Sequence, residues 1–64
     1  MTAYGGGPMT VFGNTVEVGS ADEFERVRAV PEARDGWFDP ERKFGVVRFW
    51  SCETAQKVWS KHSG

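Results

Sequence analysis

From Phe44 to Trp50 the chain reads Phe-Gly-Val-Val-Arg-Phe-Trp and is apolar on both sides of an extended backbone. Gly45, Val47 and Phe49 point one way, and Phe44, Val46, Arg48 and Trp50 point the other. One side covers a core and the other needs a second cover: more of this chain, another copy of it, or a ligand. Trp37-Phe38 precedes this run, and Asp39-Pro40 between them has turn chemistry. The proline presets a turn angle and the aspartate accepts from the next backbone N–H groups. The pattern predicts a hairpin over Trp37–Trp50. Met9–Val18 is also strand-like, with Val16 and Val18 alternating with Thr15 and Glu17. Gly13-Asn14 interrupts it, as a tight hairpin turn or as a bulge. The symmetric placement of Val11-Phe12 and Thr15-Val16 favours the hairpin.

Two helices complete the pattern. Ser20-Ala21-Asp22-Glu23 is a capping box, in which Ser20 accepts from the Glu23 amide and Glu23 reaches back to the Ser20 amide. Ala21, Phe24 and Val27 form its apolar stripe, and Pro31 ends the regular helix near Ala29 or Val30. A further turn is expected over Pro31–Arg34, closed by Asp35-Gly36. Ser51 caps a second helix on which Cys52, Ala55, Val58, Trp59 and His62 share a face. Glu53 and Lys57 form an i,i+4 pair on the wet side. The expected order is β(β)–α–ββ–α, an α+β fold with a small antiparallel sheet of two hairpins and two helices on one of its faces.

Length changes how this pattern is weighed. The chain has 64 residues, enough for a single domain. A domain of this size buries only about 60% of the surface its unfolded chain exposes. One cysteine gives no internal disulfide, and no Cys/His cluster points to a structural metal. Three Trp, five Phe and one Tyr compensate, since each large ring buries roughly 150–250 Å². Gly5-Gly6-Gly7-Pro8 carries a high ordering cost, so residues 1–8 are expected to be a flexible arm before a single α+β domain over 9–64. The glycine run lacks the Gly-Lys-Ser/Thr ending of a phosphate-binding loop. The net charge of −1 favours neither nucleic acid nor an acidic decoy. With no signal peptide, transmembrane run or lipidation motif, the chain is expected to be a whole small cytoplasmic protein without a membrane partner.

Catalytic chemistry finds little support. Cys52 lies near a helix N-terminus, where a thiol pKa can fall. The sole histidine, His62, is ten residues along the same helix, roughly 15 Å away, so the two form no dyad. Cys52 is expected in the core, as free cysteines commonly are. His62 is expected on the stripe or as a favourable charge near the helix C-terminus. Asp22, Glu23 and Glu25 have no convergent pocket, and Glu32, Asp35, Asp39 and Glu41 lie in or near turns. No enzyme, cofactor or metal is expected.

Arg42-Lys43-Phe44-Gly45-Val46-Val47-Arg48-Phe49 resembles the RNP1 strand of the RNA-recognition-motif family. Arg42, Phe44, Gly45, Val47 and Phe49 fit that strand. Lys43 stands where glycine is usual and Val46 where the second stacking aromatic is usual. Ser51, Glu53, Ala55 and Lys57 are similar to the family's second helix, Val11–Asn14 resembles its RNP2 strand, and Ser20–Val27 sits where its first helix would be. The family adds a fourth strand after the second helix, which this sequence lacks, and the segment here between the first helix and the RNP1-like strand is short for a separate second strand. The resemblance implies that Phe44 stacks on a base, Arg48 and Lys43 contact phosphate, and Trp50 extends the platform.

Three functions are therefore weighed. The preferred one is a non-enzymatic module that binds a larger protein by occluding or bridging it. Trp37, Phe44, Arg48 and Trp50 would be its anchors, with Arg42 and Lys43 as a charged rim. Its size and build are similar to those of phage-type inhibitors, of the anti-CRISPR or host-takeover class. The alternatives are a single-stranded RNA or DNA binder and a self-assembling protein whose second apolar face is a homodimer interface.

Overall fold

A computed structural model describes residues 9–63; the stretch 1–8, expected to be an arm, lies outside the described residues. The elements are β1 (Thr10–Phe12), β2 (Thr15–Val18), α1 (Ala21–Arg28), β3 (Ala33–Asp39), β4 (Phe44–Phe49) and α2 (Cys52–Ser63). The four strands form one antiparallel sheet in the order β1-β2-β4-β3. This is the expected α+β architecture. Both β2 and β3 run antiparallel to β4, so α1 connects two parallel strands and crosses over the one between them. The fourth strand precedes the first helix rather than following the second.

Local chemistry explains most boundaries. The β1–β2 connection is a two-residue hairpin: Phe12 pairs with Thr15, and Gly13 takes φ +63, the left-handed region that glycine enters without a Cβ penalty. Asn14 ties that turn to the end of β4, accepting from the Phe49 amide at 2.8 Å and donating its Nδ2 to the Phe49 carbonyl at 2.9 Å. Ser20 caps α1, its Oγ accepting from the Glu23 amide at 3.2 Å. The Glu23 carboxylate reaches back one residue further than expected, to the Gly19 amide at 3.0 Å. Ser51 caps α2 in the same way through the Thr54 amide at 3.2 Å.

The second hairpin starts earlier than the sequence implies. No helical turn closes on Asp35-Gly36; a short turn at Pro31-Glu32, with the Ala33 amide on the Val30 carbonyl, leads directly into β3. Residues of poor strand propensity are held there by pairing with β4, which overrides local preference. Ala33 pairs with Phe49 and Asp35 with Arg48, which leaves Arg34 as the extra residue of a β-bulge. The turn between β3 and β4 is as expected, with Asp39 Oδ1 accepting from the amides of Glu41 at 3.0 Å and Arg42 at 3.4 Å.

Both helices lie on the same side of the sheet. Val16, Val18, Val47 and Phe49 form the strand layer of the core, and Val27 of α1 with Ala55 and Val58 of α2 form the helix layer. α1 packs over β3 and β4, and α2 packs against β1, β2 and β4. Fully burying each of these Val and Phe side chains contributes roughly 1.5–3 kcal/mol. Met9 is also buried, and the Trp59 Nε1–H donates to its carbonyl at 2.9 Å, tying the start of the sheet to α2. Cys52 is exposed, not in the core: it begins α2, where the helix has not yet come down onto the sheet. His62 is half-buried, as expected of a stripe residue.

Gly45 makes room for an aromatic pair. It lies opposite Phe38 in the core-facing row, and Phe38 packs on Phe24 of α1 with ring centroids 5.6 Å apart. A Cβ at Gly45 would meet Phe38 Cδ1 at 2.7 Å and the Trp37 carbonyl oxygen at 2.8 Å. The backbone oxygen cannot move aside without disturbing the β3–β4 ladder. Gly45→Ala is therefore expected to lower unfolding free energy by about 1–3 kcal/mol in urea titration. An unchanged midpoint and slope would show that the strand pair absorbs the methyl group.

Candidate interaction surface

The strand register fixes which side chains share the face opposite the helices. Phe12 lies across from Thr15, Thr15 from Arg48, and Arg48 from Asp35. In the next row Thr10 faces Glu17, Glu17 faces Val46, and Val46 faces Trp37. Phe44 lies across from Asp39 at one end of the sheet, and Trp50 follows β4 at the other. Among the described residues no helix covers this face. Phe12 is 75% exposed, Trp50 73%, Trp37 55% and Phe44 37%, whereas Phe49 on the opposite face is fully buried. One side of β4 thus lies under the helices, and among the described residues the other is left uncovered by them.

Of the six expected binding residues, Trp37, Phe44 and Arg48 lie on this face, and exposed Trp50 adjoins it just past the end of β4. Trp37 and Phe44 meet edge to face with centroids 6.0 Å apart, and Val46 lies beside Trp37 on the neighbouring strand. Arg48 separates this cluster from Trp50. The other two, Arg42 and Lys43, sit at the rim in the β3–β4 turn. Arg42 Nε lies 3.8 Å from Asp39 Oδ2, a loose exposed pair. Lys43 has φ +55, the left-handed region, at one of the two positions where the resembled strand carries glycine.

Arg48 is not free. Its Nε and one terminal nitrogen each donate to a carboxylate oxygen of Asp35 at 2.8 Å, a bidentate fork across the β4–β3 pair. Arg34, the bulged residue, places its guanidinium 4.8 Å from the ring centre of Trp50, a cation–π contact. The face therefore holds two acids, Glu17 and Asp35, and two bases, Arg34 and Arg48, among its aromatic groups. Phe12, Arg34 and Asp35 were not singled out from sequence as members of the site. Phe12 was within reach of the two-residue hairpin rule, because a Gly13-Asn14 turn puts it across from Thr15 and away from the core. Arg34 and Asp35 depend on the bulge, which leaves no local signature.

Catalytic groups do not converge. No charged or polar side chain is buried among the described residues, and no cluster of His, Cys, Asp and Glu there has metal-binding geometry. Exposed Cys52 and half-buried His62 lie at opposite ends of α2. A shallow open hollow along the outer side of α2 is lined by Glu53, Thr54, Gln56, Lys57, Trp59, Ser60 and Lys61. No described helix is long and apolar enough to cross a membrane. Compared with family models, with curated proteins and with solved structures, the chain matches none.

The fork has a titration signature. The hydrogen bonds from Arg48 hold the Asp35 carboxyl below its ordinary value, and the positive charges of Arg48 and Arg34 act in the same direction. Asp35 in turn raises Arg48. Because the folded-state pKa of Asp35 lies below the unfolded one, the stabilisation is complete above the unfolded-state value. It is lost as pH falls through the folded value, a window below about pH 4. The Asp35 carboxyl carbon followed by NMR should titrate below the ordinary aspartate value and move up toward that value in Arg48→Gln. Coincident titration in both proteins would show that the fork does not persist in solution.

Proposed function

We propose that the chain is a non-enzymatic protein-binding module whose open sheet face docks on a larger partner in the cytoplasm, occluding or bridging it. The observation that carries this reading is the exposure of Trp37 and Phe12 on the face away from the core, with exposed Trp50 beside it at the end of β4. Aromatic and arginine side chains in a well-ordered patch are the usual anchors of protein interfaces. Balanced charge across the patch fits a partner of mixed character better than a polyanion. An inhibitor of the phage type is one form such a module takes, and that narrower reading rests on size and build.

A second reading, single-stranded nucleic acid bound on an aromatic platform, draws on the exposed rings of Trp37, Phe44 and Trp50. The pairing of Arg48 with Asp35 counts against it, since the resemblance assigns that arginine to phosphate.

The test pairs capture with structure. The wild-type chain should retain a specific partner from its source cell, and Trp37→Ala with Trp50→Ala should weaken that complex at least about 100-fold, with each anchor contributing ~2 kcal/mol or more. Far-ultraviolet circular dichroism should be unchanged, because neither ring lies in the core. Retention of the same partner by the double variant would place the interface elsewhere. Loss of helical signal would make the two rings structural. Light scattering that gives twice the monomer mass, abolished by the same substitutions, would assign the face to self-assembly instead.

A further inference from the structure

We infer that Asp35 is the specificity-determining residue of the open face: by engaging Arg48 and lying beside Arg34, it keeps an aromatic, arginine-bearing surface from binding single-stranded nucleic acid. This rests on the protein-docking reading above and adds to it the exclusion of a competing ligand class. Aromatic rings flanked by free arginines are what a single strand needs, because bases stack on the rings and guanidinium groups take phosphate. Trp50 with Arg34 over its ring, and Arg48 on the adjoining position, supply those groups at one end of the sheet.

Asp35 withdraws them in two ways. It occupies the side of the Arg48 guanidinium that a phosphate would use, with both carboxylate oxygens at 2.8 Å. It also places a negative charge where a phosphate bound by Arg48 would sit, so that a polyanion meets like charge there. Asp35 is bonded to Arg48 and directly follows Arg34 in the chain, and the positive charge of each favours its ionised form. The bulge creates this arrangement. By leaving Arg34 out of register it aims that side chain at Trp50 and sets Asp35 directly across from Arg48. Arg48 and Asp35 are both about half exposed, so an external phosphate can reach the fork and compete with it.

The experiment uses the full chain and a fluorescein-labelled single-stranded DNA of mixed sequence, with affinity measured against salt. Wild-type protein should bind weakly or not at all. Asp35→Asn should bind about tenfold tighter at low salt, with a salt slope steeper by ~0.7–1.4, corresponding to one or two phosphate contacts. Asp35→Glu, which keeps the charge, should behave as wild type. Glu53→Gln on α2 makes the same change in net charge away from the face and should not gain affinity. Unchanged binding in Asp35→Asn, or an equal gain in Glu53→Gln, would overturn the role of Asp35 and leave the protein-docking reading standing. Tight binding of the strand by the wild-type protein at physiological salt, with a dissociation constant below about 1 μM, would overturn the docking reading itself.

Discussion

Two helices of this size cover one face of a four-stranded sheet, and here both lie on the same one. The rest of the structure follows from that constraint. Val16, Val18, Val47 and Phe49 receive Val27, Ala55 and Val58, and this layer is the core. Strand alternation then places the remaining side chains of β4 on the uncovered side without further choice. A chain this small gains little by exposing tryptophan and phenylalanine, since it buries a modest share of its surface in any case. Their concentration on one open face is the feature that calls for a functional explanation.

The open face is ordered rather than merely apolar. Trp37 and Phe44 fix one another edge to face, the Asp35–Arg48 fork braces β3 against β4, and the Arg34 guanidinium lies over Trp50. Side chains held in place before a partner arrives lose less conformational freedom on binding. The glycines at Gly36 and Gly45 contribute from behind. They let Phe24 and Phe38 sit close against the sheet, so that β3 is supported on its core side as well.

Much of this was legible in the residues. Period-two alternation in Phe44–Trp50, the Gly13-Asn14 turn, and the Ser20 and Ser51 caps each depend on near neighbours, and each is where the pattern puts it. What depends on distant pairing was not legible. Asp35-Gly36 has the composition of a turn, and only β4 beside it makes it strand. Cys52 falls in phase with the buried stripe of α2, yet the helix meets the sheet a turn later. Arg48 looked like a free cation because its partner is thirteen residues earlier and reaches it through a bulge.

Hydroxyl-radical footprinting of the full chain at low concentration tests the central claim most directly, since it reads aromatic exposure residue by residue. Rapid oxidation of Phe12, Trp37 and Trp50, with Phe49 protected, is the result this account predicts. Protection of Trp37 and Trp50 to the level of Phe49 in the dilute, unpartnered chain would mean that the face is closed by the protein's own residues, and the docking surface would not exist.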